Sequence, residues 1–164
     1  MAAEHQNAVY VNMMVDTLKR KEKLLVTLLE QTRGQEKLLR EEELDQEQFQ
    51  SLLDEKAGRI EELNRLDDGF DTLFQTVKKE IQEHRIAYRT EIQQMQGYIA
   101  RVADLGAEIQ ALEHQNSDRL KIYLSRQRKV IREFHVNNKT ATNYYKNMAN
   151  SHKPEQSYFF NETN

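Results

Sequence analysis

The 164-residue sequence has no cysteine, no tryptophan, one proline and five glycines. Without cysteine there is no disulfide framework, no thiolate metal site and no cysteine nucleophile, which fits a reducing compartment. With so little proline and glycine, few positions can break a helix. No apolar run approaches the roughly 20 residues needed to span a bilayer. The opening Met1-Ala2-Ala3-Glu4-His5-Gln6 has neither the basic start nor the apolar stretch of a signal peptide. The expectation is a soluble, cytoplasmic protein that does not insert into a membrane. Signatures of catalysis are missing too: there is no phosphate-binding glycine loop and no nucleophile elbow. A carboxylate-bridged di-metal site in a helical bundle needs Glu-x-x-His. Three residues before His5, His84, His114, His135 and His152 stand Ala2, Ile81, Ala111, Arg132 and Ala149. No enzyme activity, metal or cofactor is expected.

What is present is charge and periodicity. Charged residues make up 31% against 38% hydrophobic, the balance of long helices with narrow apolar seams. A mean hydropathy of −0.88 taken alone would fit disorder, but sustained helical spacing argues against it. The longest pattern runs Tyr88, Ile92, Met95, Ile99, Val102, Gly106, Ile109, Leu112, Asn116, Leu120, Tyr123, Gln127, Val130, Phe134. Its steps of three and four place every position on one stripe of a helix. Such a stripe needs partners.

The partners lie upstream. A first helix, over about residues 8–43 with Asn7 as its cap, carries Val11, Met14, Leu18, Lys21, Leu25, Leu28, Thr32, Gln35 and Leu39 on its seam. Its flanking Glu30, Arg33, Glu36, Lys37 and Arg40 are spaced for weak pairs within the helix. Asp45-Gln46-Glu47-Gln48 then matches a capping box bracketed by Leu44 and Phe49, predicting a tight corner and an antiparallel second helix. That helix carries Phe49, Leu52, Leu53, Lys56, Ile60, Leu63 and Leu66. Asp67-Asp68-Gly69 reads as a turn, yet the apolar phase continues through Phe70, Leu73, Phe74, Val77 and Ile81. Matching the length of helix one, roughly 54 Å at 1.5 Å per residue, favours a helix over 46–82. The second corner then falls near Gln82–Arg85, with Gly69 as a bend or close-packing point. A turn at 67–69 is the alternative. Helix three, about 86–136, would outrun both partners.

The fold class expected is therefore all-α: an elongated antiparallel three-helix bundle over residues 1–136, followed by a mobile polar and aromatic tail over 137–164. Gly106 predicts close helix approach, or a hinge. Asn116 predicts a polar break that fixes register, or the point where the closed core gives way to an open surface. Residues 117–153 carry nine Lys or Arg against Asp118 and Glu133, in a chain of net charge −3. A basic, apolar far end of helix three suggests a docking surface. The run Arg126-Gln127-Arg128-Lys129-Val130-Ile131-Arg132 also invites a nucleic-acid reading, but the chain is acidic overall and has no nucleic-acid motif, so none is expected as a partner.

Three stretches resemble the flagellar export chaperones of the FlgN type, in their Gram-positive version. They are Leu52–Phe70, with Lys56, Ile60, Leu63 and Leu66-Asp67-Asp68-Gly69-Phe70; Ile109-x-x-x-Glu113-x-x-Asn116-x-x-x-Leu120; and Tyr144-Tyr145-Lys146-Asn147-Met148 before an aromatic-rich end. The similarity covers most of the length. It departs at Gly69, where arginine is more usual in the family, and at Ser117, where glycine often follows the asparagine. The resemblance implies a cytosolic, monomeric or weakly dimeric chaperone that masks the C-terminal helical segments of hook-associated proteins before type III export. Joined to the open-seam expectation, it makes Leu120, Tyr123, Leu124, Val130, Ile131 and Phe134 the candidate client-binding residues. Tyr144, Tyr145 and Met148 become candidates for docking to the export gate. A chaperone for the filament cap or filament protein, or a structural coiled-coil dimer without a client, are the alternatives.

Overall fold

The computed structural model describes residues 2–127 as three long helices packed against one another: α1 (Ala2–Leu39), α2 (Gln46–Glu83) and α3 (Arg89–Gln127). The helix α1 starts earlier than its expected cap at Asn7, because Ala2 and Ala3 are strong helix formers and Glu4 complements the positive end of the helix dipole. It also stops before Glu43. Glu41, Glu42 and Glu43 would crowd three carboxylates onto the negative end of that dipole. They lie exposed in the first corner instead. Asp45 then caps α2, its carboxylate accepting from the Gln48 amide at 3.0 Å. Leu44 and Phe49, on either side of the cap, are buried in one cluster.

The helix α2 passes through Asp67, Asp68 and Gly69 without interruption, and the second corner occupies residues 84–88. Gly69 is exposed, and a Cβ built on it meets nothing within 4 Å, so it is not a close-packing point. Gly106 is buried within α3. Over the described residues α3 is about as long as its partners. The stretch 128–136, by which it was expected to outrun them, lies outside the described residues, as does the expected tail 137–164.

The core falls into three apolar clusters along the bundle. At the end that holds the second corner, Val11, Met14 and Leu18 meet Phe70, Phe74, Val77 and Ile81 of α2 and Tyr88, Ile92 and Met95 of the corner and α3. In the middle, Leu25, Leu28 and Leu29 meet Ile60, Leu63, Val102 and Ile109. At the first corner, Leu38, Leu44, Phe49 and Leu53 meet Leu120 and Leu124. All three helices contribute to every cluster, but among the described elements only α1 has its backbone close to both of the others, which makes it the spine of the bundle.

Polar contacts mark the boundaries between clusters. Between the first two, Lys21 donates to Asp67 of α2 at 2.7 Å, and Glu22 pairs with Arg101 of α3 at 3.2 Å. Between the second and third lies a fully buried polar layer. Lysine on an apolar seam is thus accommodated twice, each time by an acid from a neighbouring helix.

Candidate functional site

Each of the three helices supplies part of the buried layer, and every member but Glu113 stands on an expected seam. Thr32 and Gln35 come from α1, Lys56 from α2, Glu113 and Asn116 from α3; all five are buried. The Lys56 ammonium donates to the Glu113 carboxylate and, at 2.8 Å, to the Gln35 side-chain oxygen. Asn116 Nδ2 donates to the Thr32 carbonyl at 3.1 Å, and the Thr32 hydroxyl donates to the Leu28 carbonyl at 2.7 Å. Lys56 is 3% exposed, so burial holds its ammonium below its ordinary pKa of 10.5, while the Glu113 carboxylate opposes that shift. Gln35 Nε2 and Asn116 Oδ1 are buried without a hydrogen-bond partner among the described residues. A layer with unsatisfied atoms does not maximise stability. What it supplies is register: only one sliding position of the three helices puts lysine, glutamate and the two amides together.

That layer lies at Asn116, as the polar-break reading expects, but the seam does not open beyond it. Leu120 and Leu124 are buried against the first corner. They are core residues. Tyr123, half-buried, packs against the same cluster. The open surface expected from Leu120 onward is thus closed as far as Leu124, because the six-residue corner and the first turn of α2 reach that level and cover it. Of the described residues near that end, Ile122 is the large apolar side chain left exposed, at 54%. Val130, Ile131, Phe134, Tyr144, Tyr145 and Met148 lie outside the described residues.

The surface there is strongly polarised. Glu41, Glu42, Glu43, Asp45 and Glu47 are exposed at the first corner, and Lys121 and Arg126 are exposed on the last turns of α3. Arg119 lies 3.8 Å from Glu36, which itself pairs with Arg40 at 2.8 Å. Arg33, expected to pair within its own helix, bridges to Glu108 of α3 at 2.6 Å. At the opposite end, Tyr88 is buried, and its phenol is pushed above its ordinary pKa of 10.0 by burial and by Glu80, Glu4 and Glu91.

Among the described residues no group of three or more acidic or histidine side chains is arranged to hold a metal ion. No described helix is long and apolar enough to cross a membrane. The Lys56–Glu113–Gln35 network escaped the sequence-based site prediction, although four of its five members stand on predicted seams. A polar residue on an apolar seam was its signal; which polar residues meet depends on inter-helix register, which periodicity within one helix does not contain. Comparison of the chain with protein-family models, with curated proteins and with solved structures gives no match.

Proposed function

We infer that the protein is a cytoplasmic export chaperone that binds and masks hook-associated flagellar proteins before type III secretion and hands them to the export gate. One observation supports this most. The first corner is level with Leu124, since Leu44 and Leu124 share a cluster, so the described α1–α2 hairpin ends at that level. Yet the sequence continues the seam through Val130, Ile131 and Phe134, within the basic run Arg128-Lys129 and Arg132. An apolar stripe that the sequence carries on past that level, flanked by basic residues, is suited to an amphipathic helix from another protein. The client surface is thereby narrowed to Val130, Ile131 and Phe134, with Tyr123 and Ile122 at its near edge, and Leu120 and Leu124 are assigned to the core. Tyr144, Tyr145 and Met148 remain the residues proposed to dock at the gate.

The test is titration of the full chain with the C-terminal helical segments of hook-associated proteins. Binding is expected for the native chain and its loss for Phe134→Asp, with the thermal unfolding curve unchanged. If the native chain binds none of these segments, the proposal fails. If Phe134→Asp instead dissolves a tight dimer, the structural coiled-coil reading takes its place.

A further inference from the structure

The two corners are built differently. The first has a dedicated stop: an acidic cluster, a buried Leu44 and the Asp45 cap. The second, Glu83-His84-Arg85-Ile86-Ala87-Tyr88-Arg89, contains no glycine, proline, serine, threonine, asparagine or aspartate. The helix α2 ends at His84 with φ −126°, not on a left-handed glycine cap, and buried Tyr88 stands where a capping side chain would precede α3. The hydrogen bonding remains partly helical. The amides of His84, Tyr88 and Ile92 donate to the carbonyls of Glu80, His84 and Tyr88 at 3.0, 3.3 and 2.9 Å, an i to i−4 chain that steps through the bend. The apolar phase also crosses it, for Phe74, Val77, Ile81, Tyr88, Ile92 and Met95 advance by three, four or seven residues. Ile86, at the tip, is 91% exposed.

A bend with no glycine, proline or capping side chain of its own depends chiefly on closure of the core. We propose that this corner is a hinge through which a second copy of the chain exchanges α3. In the exchanged dimer, residues 46–127 of each chain form one helix of roughly 120 Å at 1.5 Å per residue. The α3 half of that helix packs on the α1–α2 hairpin of the other copy. Every contact that α3 makes in the three clusters, and the Lys56–Glu113 pair, re-forms between copies, with only Tyr88 at the hinge repacking. What differs is the hinge: straightening it completes the helical ladder and brings the two exposed Ile86 side chains to the two-fold axis. The intramolecular form wins at low concentration because a short connection keeps α3 at high effective concentration. The exchanged form is expected when chains refold crowded together. The occupant of the hairpin is thus a second copy, independent of any client beyond Gln127.

The absence of cysteine makes the test direct. Gln46→Cys and Ser125→Cys place labels on two exposed positions at the same end of the bundle. The doubly labelled full chain is unfolded in denaturant and refolded at millimolar concentration with excess unlabelled chain. Species are then separated by mass and the label distance is read by energy transfer. The expected result is a dimer in which energy transfer within the labelled chain is lost, beside a monomer in which it is retained. His84→Ala, which favours helix at the hinge, should raise the dimer fraction; Ala87→Gly should weaken the dimer about five-fold per hinge, or roughly 30-fold for two. Monomer alone, in both the native chain and His84→Ala, overturns the proposal. So does a dimer whose labels stay close within one chain, since that is side-by-side association.

Discussion

Lys56 and Glu113 are the residues whose replacement should tell most about the bundle interior. Lys56→Met leaves the Glu113 carboxylate buried without its ammonium and should cost about 3–5 kcal/mol. Adding Glu113→Leu removes the stranded charge, and the double variant should return to native stability or exceed it by about 1–4 kcal/mol. Urea denaturation of both single variants, the double variant and the native chain closes the cycle; additive effects would mean that the two groups do not act as a pair. Tyr88 makes a second prediction through its proton. Its pKa is raised in the fold, so the unfolded chain ionises first as pH climbs past 10.0. Its contribution to stability is complete below that value and is lost as pH rises through the higher folded one. Tyr88→Phe keeps the ring packing and removes the proton, so it should flatten the fall in stability as pH rises above 10.0 relative to the native chain. Exposed helix glycines offer a third. Cβ atoms at Gly58 and Gly69 meet nothing within 4 Å, so alanine at either should stabilise by about 0.5–1 kcal/mol in denaturant melts.

Helices and corners show how local signals and tertiary packing divide the work. Asp45 is a local signal, and Asp45→Ala should cost about 1 kcal/mol in thermal or urea unfolding through loss of the Gln48 amide bond. An unchanged midpoint would remove the cap from the account. The first corner was therefore legible in the sequence residue by residue. The second was legible only by matching helix lengths, since its own residues contain no stop, and Asp67-Asp68-Gly69 offered a false one. Aspartate and glycine disfavour a helix by only about 1 kcal/mol each at most, too little to oppose burial of Phe70, Phe74 and Val77 in continuous phase. Most described seam residues are buried, because burial within a helix follows its period, but Leu39, Leu66, Ile99 and Leu112 are only half-buried, and Glu113, off the expected stripe, is buried beside Leu112. The open surface after Asn116 was misplaced for a different reason. Whether Leu120 and Leu124 are covered depends on how far the hairpin opposite extends, and that level is set by where α1 stops and how its corner folds.

For the molecule as a whole, α1 is the helix that packs its backbone against both of the others. Met14, Leu28 and Leu38 are buried in three different clusters, and all belong to that one helix. Alanine at each should lower the stability of a single cooperative transition by about 2–5 kcal/mol. Helical circular dichroism should show one midpoint in every case; a segment melting separately would mean that the polar layers divide the bundle into independent units. The same arrangement fixes how the protein meets a pulling force. Residue 2 lies at the end of the second corner and residue 127 at the end of the first, because α1 and α3 run in the same direction. Tension between these two points therefore loads the α1–α3 contact in shear along its full length, not by peeling one turn at a time. Lys56–Glu113, Asn116–Thr32, Arg33–Glu108 and the clusters on either side must slip together. A grip on both ends of α1 and α3 thus meets the bundle in its mechanically strong direction, whereas a pull separating the first corner from the end of α3 would open it like a zip.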